Sequence, residues 1–323
     1  MILLTGGAGF IGSALHASLA RRGERCTVVD WMGTDDKWRN LRSHPPEAIL
    51  RPEQLDAYLD TGPSLDAIVH LGAISATTAT DADLVWTTNV DLSQRLWRWC
   101  AAHGTRFLYA SSASTYGDGA HGFDDDPTQL DRLVPLNLYG WSKHAFDRSV
   151  MAALARGEAT PPQWAALKFF NVYGPNEYHK GSMISVVKRK WDELRAGAPA
   201  TLFRSDRPDI ADGEQRRDFI WVGDAVDILL WLLDHPQVSG LFNSGTGRAR
   251  TYRDMARAVC AASGRDEAIA FVPMPQALHG HYQSFTEARM DRLRAAGYPG
   301  QFTPLEDGIA RYAAILAGAD PYL

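Results

Sequence analysis

The sequence is poor in cysteine and contains no long apolar run. Its three cysteines, Cys26, Cys100 and Cys260, lie far apart and form neither a CxxC pair nor a disulfide framework. This usage is typical of a protein in the reducing cytoplasm. No apolar stretch approaches the roughly 18 residues of a transmembrane helix. Residues 1–5 lead straight into a glycine cluster, with no basic segment and no cleavage site. We therefore expect no membrane partner, no signal peptide and a cytoplasmic location.

Charge of one sign is not concentrated in any part of the chain. The 33 lysines and arginines and the 38 aspartates and glutamates give a net charge of −5. They form no basic stripe, so no nucleic-acid partner is expected. The apolar fraction of 45% is that of a globular protein, and 323 residues are enough for one large or two smaller lobes.

Strand and helix signals alternate through the first part of the chain. Strands are predicted at residues 1–5, 27–30, 67–70, 106–110 and 165–170, and helices at 10–20, 81–102 and 136–155. This alternation predicts an α/β fold with a doubly wound parallel sheet of the Rossmann type.

The pattern becomes less regular after residue 170. Helices are predicted at residues 182–195, 223–233 and 251–262, and a charged loop at 204–218. We expect a dinucleotide-binding domain of residues 1–170 and 215–250. A smaller, interleaved substrate-binding lobe is expected to comprise residues 171–214 and 251–323.

A glycine-rich turn follows the first predicted strand. Gly6, Gly9 and Gly12 allow a tight turn, close approach of a pyrophosphate and close helix packing. The helix N-terminus behind them supplies free N–H groups for phosphates. Asp30, at the end of the second strand, is placed to hydrogen-bond an adenosine ribose. The pattern predicts a nicotinamide dinucleotide cofactor.

The choice between NADP and NAD stays open at this point. Asp30 would repel a 2′-phosphate, whereas Lys37, Arg39 or Arg42 in the following loop would neutralise one.

Three further residues form a catalytic pattern. Tyr139 and Lys143 are spaced i, i+4 and so share one helix face. A nearby ammonium favours the phenolate of a tyrosine whose unperturbed pKa is about 10. Ser112 lies at a strand end, where ligands bind in parallel sheets. Asn89 lies on the buried face of its predicted helix, where a polar side chain needs a specific partner.

These motifs, in this order, resemble the extended short-chain dehydrogenase/reductase family of nucleotide-sugar epimerases and dehydratases. Residues 70–73 (HLGA), 171–175 (NVYGP) and 217–224 (RDFIWVGD) are similar to segments of that family. The resemblance implies that Asn89 lies beside the cofactor and that 217–224 form a returning strand and helix.

Residues 179–183 (HKGSM) and 280–286 (GHYQSFT) resemble the ADP-glyceromanno-heptose 6-epimerase family more narrowly. This resemblance implies NADP as cofactor, an ADP-activated heptose of lipopolysaccharide core as substrate, and a homo-oligomer. It implies that Tyr139 and Lys180 are two bases serving opposite epimers. Ser112 would orient the hydroxyl, and Lys143 would hold the nicotinamide ribose. Residue type alone instead favours a surface lysine at a helix start for Lys180, since most lysines are exposed.

The resemblance also implies the remaining site residues. Cofactor contacts are expected from Gly6, Gly9, Phe10, Ile11, Gly12, Asp30, Trp31, Lys37, Leu71, Gly72, Ala73, Ile74, Ser75, Asn89, Tyr139, Lys143, Val172 and Lys180. Substrate contacts are expected from Ser112, Asn171, Ser182, Arg189, Phe203, Arg204, Arg217 and Tyr282. No metal site is expected, because His279 and His281 have no nearby cysteine or acid.

Three alternatives remain open. The first is an epimerase of a UDP- or GDP-sugar. The second, a dehydratase, normally requires an acid pair beside the active serine, where this chain has Ser114 and Thr115. The third is an NADP-sensing binding protein, which requires a damaged catalytic set, whereas Ser112, Tyr139 and Lys143 are intact.

Overall fold

A parallel sheet forms the centre of the computed structural model, which describes residues 1–276 and 283–323. Within these ranges the sheet has seven strands. Their residues are near-continuous apolar runs because both faces of the sheet are buried. From one edge to the other, the strands are β10 (Gly240–Ser244), β6 (Trp164–Phe169), β5 (Arg106–Ser112), β4 (Ala67–His70), β1 (Ile2–Thr5), β2 (Cys26–Val29) and β3 (Ala48–Leu50).

Helices pack around this sheet, and several of them begin at a capping side chain. Asn137 caps the long helix α5 by accepting from the Gly140 N–H, and Thr251 forms a capping box with Asp254 at the start of α8. The helices are α1 (Phe10–Arg21), α2 (Leu55–Asp60), α3 (Ala82–Trp86), α4 (Leu92–His103), α5 (Leu138–Ala155), α6 (Val186–Arg195), α7 (Val222–Asp234), α8 (Tyr252–Ala262), α9 (Asp291–Ala295) and α10 (Leu305–Ala317).

Two small sheets lie beside the central one. Strand β9 (Arg216–Trp221) pairs with β7 (Asn171–Tyr173) in parallel and with β11 (Ala249–Thr251) in antiparallel orientation. Strands β8 (Ala200–Phe203) and β12 (Ile269–Val272) form a parallel pair. Helix α8 packs against α6 and α10. Among the described residues, no helix combines the length and the apolar character needed to cross a membrane.

The predicted doubly wound sheet is confirmed, and four local expectations are corrected. Residues 216–218 are not loop, because they pair as the start of β9. The helix predicted from 182 begins at Val186, where the Ser185 hydroxyl caps it. The helix predicted over 81–102 is divided by a π-helical turn at Thr87–Asp91. The strand that ends at Ser112 is the fifth in the chain, because the short edge strand β3 precedes it.

Candidate active site

A cavity of about 620 Å³ opens at the carboxyl ends of the central strands, where ligands bind in parallel sheets. Its walls come from the glycine turn, the residues after β4, the end of β5, helix α5 and the segment before α6. Ser112, Tyr139, Lys143 and Lys180, which the sequence predicted to be catalytic, all line this one cavity.

The glycine turn has no room for side chains. Gly6 has a φ of +69°, and a Cβ there would lie 2.6 Å from the Gly72 backbone nitrogen. A Cβ on Gly12 would collide with the Gly6 carbonyl oxygen. No side chain caps the first turn of α1, so its N–H groups are available to a phosphate at the cavity wall.

Asp30 follows β2 and is held from two sides. Its Oδ2 accepts from the Ala8 N–H at 2.9 Å, and its Oδ1 accepts from the Lys37 Nζ at 2.6 Å. Lys37 also donates to the Trp31 carbonyl oxygen at 2.8 Å. Asp30 and Lys37 line the cavity. The Trp31 indole instead turns to the exposed Glu53, to which it donates at 2.8 Å.

A chain of hydrogen bonds joins the glycine turn to the buried helices. The Gly72 N–H donates to the Thr5 hydroxyl at 3.1 Å, and that hydroxyl lies 2.6 Å from His70 Nδ1. His70 Nε2 lies 2.8 Å from the Ser93 hydroxyl, which donates to the Asn89 carbonyl oxygen at 2.7 Å. Because Ser93 donates onward, it accepts from Nε2–H, and Nδ1 accepts from Thr5. The imidazole at the centre of the chain is neutral near pH 7, because burial lowers its pKa to about 3.

The hydrogen bonds of the Asn89 side chain explain why this polar residue is buried. Asn89 accepts from the Ile74 N–H at 2.9 Å and donates to the Ile74 carbonyl oxygen at 3.0 Å. It also donates to the Ser142 hydroxyl at 3.0 Å, and Ser142 donates to the Tyr139 carbonyl oxygen at 2.7 Å. Asn89 thus fixes the loop after β4 against the helix that carries Tyr139. A π-helical turn at a functional position, as here, is a common use of that rare structure.

Tyr139, Ser112 and Lys143 line the same cavity. Burial raises the pKa of Tyr139, and the side chain of Ser112 opposes that rise. Lys143 is 2% exposed, and burial lowers its pKa to about 8, against the opposing effect of Asp147. The charge of Lys143, after burial, contributes to holding the pKa of His70 down at about 3.

Lys180 lines the cavity from the segment before α6. It lies in the turn Tyr178–Met183, and its Nζ is 5.2 Å from the ring of Phe10 at the start of α1. Burial lowers the pKa of Lys180, and Glu177 opposes the change. Lys180 is therefore a half-buried lysine at the cavity wall rather than a fully exposed one.

Glu177 forms the hydrogen bonds that hold the segment of Lys180, and the sequence analysis did not predict this role. It is fully buried. Its carboxylate accepts from the Ser185 N–H and hydroxyl, both at 2.6 Å, and from the Tyr312 hydroxyl at 3.0 Å. It thereby ties both ends of the Lys180 turn to α10. An acid three residues before the predicted base is the signal that points to it.

The residues expected to bind substrate are more scattered. Asn171 lines the large cavity, and Arg189 donates to the Ser182 carbonyl oxygen at 2.8 Å. Arg217 is buried in β9, with its guanidinium 5.6 Å from the ring of Tyr252. Phe203 and Arg204 are at the end of β8. Tyr282, like His279 and His281, lies outside the described residues. Over the described ranges, no three histidines, cysteines or acids gather as a metal site.

Residues 2–245 match the NAD dependent epimerase/dehydratase family. The chain belongs to this family. Membership confirms the resemblance drawn from the motifs and the expected class of nicotinamide cofactor.

Relatives extend the match over the whole chain. Two proteins named ADP-L-glycero-D-manno-heptose-6-epimerase are similar to this chain, and each match covers 100% of this chain and 100% of the relative. They come from Nitratidesulfovibrio vulgaris (strain DP4), at 48% identity, and Fusobacterium nucleatum, at 40%. The Helicobacter pylori crystal structure of that name is 25% identical, with a TM-score of 0.78 over 97% of this chain and 94% of that one. Thermus thermophilus UDP-glucose 4-epimerase, in complex with NAD, shares the fold at 24% identity, with a TM-score of 0.77 over 98% and 99%.

The geometry of the turn predicts the effect of Gly12→Ala. The added methyl collides with the Gly6 carbonyl oxygen, so the turn must open where a pyrophosphate would lie against it. Overpacking costs about 1–3 kcal/mol, and we expect NADPH and NADH to bind about 5- to 150-fold more weakly. Calorimetric titration checks this, with Ser18→Ala on the same helix as the control. Equal affinities in Gly12→Ala and the parent would contradict a phosphate-binding role for the turn.

Proposed function

We propose that this chain is an ADP-L-glycero-D-manno-heptose 6-epimerase that uses NADP. The full-length identity of 40–48% to proteins of that name carries the proposal. The placement of Ser112, Tyr139, Lys143 and Lys180 around one cavity supports it. The product would supply the heptose of lipopolysaccharide core.

The cavity fits a nicotinamide dinucleotide. Gly6 and Gly12 leave the space that a pyrophosphate needs, Asp30 lies at the ribose position, and buried Lys143 offers an ammonium beside Tyr139. When bound there, the cofactor would supply the redox chemistry, as acceptor and then donor of the hydride on the sugar carbon. The expected cofactor contacts of Phe10, Ile11, Leu71, Ala73, Ile74, Ser75 and Val172 are kept in this proposal, because all of them line the cavity.

The protein residues handle the protons. Ser112 holds the sugar hydroxyl, and Tyr139 removes its proton while Lys143 stabilises the phenolate. The hydroxyl carbon then becomes a flat ketone. After the ketone has turned, Lys180 in the segment before α6 gives a proton to the oxygen as the hydride returns to the other face. Two acid–base groups on two walls thus serve opposite epimers.

The pair of Asp30 and Lys37 supports NADP. An unpaired Asp30 carboxylate would repel a 2′-phosphate, but Lys37 lies 2.6 Å from it and neutralises its charge. Of the three basic residues in this loop, Lys37 lines the cavity, while Arg39 pairs with Asp36 and Arg42 with Asp320. We assign the 2′-phosphate contact to Lys37.

The remaining assignments follow from the same proposal. Residues 1–170 and 215–250 are the cofactor domain, and 171–214 and 251–323 the substrate lobe. We keep the cytoplasm as location, on the three free, buried cysteines, and a homo-oligomer as assembly, on resemblance. The ADP-heptose would contact Ser112, Asn171, Ser182, Arg189, Phe203, Arg204, Arg217 and Tyr282.

The substrate is tested with a panel of nucleotide sugars. We expect NMR spectra to record interconversion of the two C6 epimers of the ADP-heptose. We expect no epimer formation from UDP-glucose, UDP-galactose or GDP-mannose. Turnover of a UDP- or GDP-sugar in place of the heptose would overturn the substrate, and tight cofactor binding with no exchange on any sugar would favour a sensor.

Removal of either base should nearly abolish epimerisation. Tyr139→Phe removes the phenol but keeps the ring, and Lys180→Met removes the ammonium at similar length. General acid–base groups contribute about 100- to 10,000-fold, so losses of that order are expected in each variant. Each variant should keep one hydride step for one epimer, and the two variants should keep it for opposite epimers. Cofactor absorbance at 340 nm measures that step.

Lys188→Met is the matched control for the lysine, since Lys188 pairs with Asp192 on α6 at 2.6 Å. It should keep the parent rate. If Lys180→Met also epimerises at the parent rate, a single tyrosine base is sufficient and the two-base mechanism fails.

Lys37→Glu should discriminate between the two cofactors. The change leaves two carboxylates beside the ribose, so we expect NADPH affinity to fall at least tenfold more than NADH affinity, as one lost charge-assisted contact is worth about 1.5–3 kcal/mol. Arg42→Glu is the control and should leave the ratio of the two affinities unchanged. An equal loss of affinity for both cofactors would contradict the assignment of Lys37. Purified protein that carries bound NAD would contradict the choice of NADP.

A further inference from the structure

Two opposite charges are buried beneath the catalytic residues. Asp147 on α5 and Lys168 on β6 are 0% exposed, with 2.9 Å between Lys168 Nζ and Asp147 Oδ2. Burying such a pair costs several kcal/mol of desolvation per ion, and well-packed apolar residues are often as stable. Their presence here therefore calls for a role besides stability.

Asp147 connects the catalytic helix to the catalytic strand. It follows Tyr139 and Lys143 at i+8 and i+4, on the same face of α5. Its Oδ2 accepts from the Ser111 hydroxyl at 2.6 Å, and its Oδ1 accepts from the Tyr109 hydroxyl at 3.1 Å. Both donors are in β5, which ends at Ser112.

Lys168 makes the corresponding connection from the next strand. It lies opposite Ser111 in the register of β5 and β6. Its Nζ donates to the Thr115 hydroxyl at 2.6 Å, and that hydroxyl donates to the Ser112 carbonyl oxygen at 2.8 Å. The Tyr116 ring lies 5.0 Å from the same Nζ. Lys168 and Thr115 thus hold the bend at Ser112, which lines the cavity.

We propose that Asp147 and Lys168 are positioning residues that fix Tyr139 and Lys143 relative to Ser112, and that their opposed charges set how firmly Lys143 holds its proton. The inference rests on the roles proposed above for these three residues. It does not depend on which nucleotide sugar is the substrate.

The electrostatic part follows from the surroundings of Lys143. Burial lowers the pKa of Lys143 to about 8, and the negative charge of Asp147 opposes this effect. The titratable groups around Lys143 and Asp147 are Tyr139 and His144 on α5, His70 on β4, Tyr109 on β5, Lys168 on β6 and Tyr116 in the turn after β5, with Lys180 in the same cavity.

The two single substitutions should act in opposite directions. Asp147→Asn leaves the positive Lys168 alone, so Lys143 loses its proton at a lower pH. Lys168→Met leaves the negative Asp147 alone, so Lys143 keeps its proton to a higher pH. A neighbouring buried charge moves a pKa by about one unit or more. The double variant, which removes both charges, should lie between the two.

NADPH fluorescence measures these shifts without any sugar. NADPH affinity is recorded against pH through the titration of Lys143, and the midpoint of its loss is compared among the variants. We expect Asp147→Asn to move the midpoint down by about one unit and Lys168→Met to move it up. Shifts in the same direction, or none, would overturn the electrostatic role. A purely structural defect would lower affinity without moving the two midpoints apart.

The exposed pair of Arg22 and Asp234, 3.0 Å apart, provides the matched control. Arg22→Met and Asp234→Asn should leave the midpoint unchanged.

Two milder variants test positioning if the charge variants do not fold. Ser111→Ala and Thr115→Val keep both charges; the first removes one hydrogen bond, and the second removes the two of the Thr115 hydroxyl. We expect kcat to fall about three- to tenfold in Ser111→Ala, the effect of one hydrogen bond, and at least as much in Thr115→Val, with the midpoint of NADPH binding unmoved. An unchanged kcat in both would overturn the positioning role. Failure of the heptose assignment alone would appear as turnover of another nucleotide sugar, with the midpoint shifts intact.

Discussion

The cavity depends on one constraint, the need of buried polar groups at the strand ends for hydrogen-bond partners. His70 is fully buried and satisfies both ring nitrogens, toward Thr5 on one side and Ser93 on the other. Ser93 donates to the Asn89 carbonyl oxygen, and the Asn89 amide is hydrogen-bonded both to the loop after β4 and to the helix that carries Tyr139. This continuous chain of hydrogen bonds fixes the position of the cofactor turn relative to the catalytic helix.

The burial of these residues also changes the pKa values of the catalytic pair. In a site of low dielectric, a buried ammonium is held less firmly and a buried phenol ionises less readily. The pKa of Lys143 is lowered to about 8 and that of Tyr139 is raised. The two values thus move apart, so the phenol keeps its proton to a higher pH than the ammonium does. Asp147 acts on both groups, and Lys168 balances Asp147.

Much of the fold and half of the site are predictable from short-range patterns. The turn through Gly6 and Gly12 and the i, i+4 pair of Tyr139 and Lys143 are local in sequence, so spacing alone places them. Contacts between distant segments are not predictable in this way. The pair of Asp147 and Lys168 and the bonds of Glu177 to Tyr312 depend on how separate elements pack. The sequence signal for each is an ionisable residue inside an apolar segment or beside a predicted base.

The two walls of the cavity are held by different sets of hydrogen bonds. Tyr139 and Lys143 are held through Asn89, Asp147 and β5, all within the sheet domain. Lys180 is held through Glu177, which bonds to Ser185 before α6 and to Tyr312 in α10. A reaction that passes a ketone between two faces needs each proton-transfer group in a fixed position while the sugar moves. The two sets of hydrogen bonds supply these positions, and Asn40 joins them by donating to the Ala8 and Asn176 carbonyl oxygens.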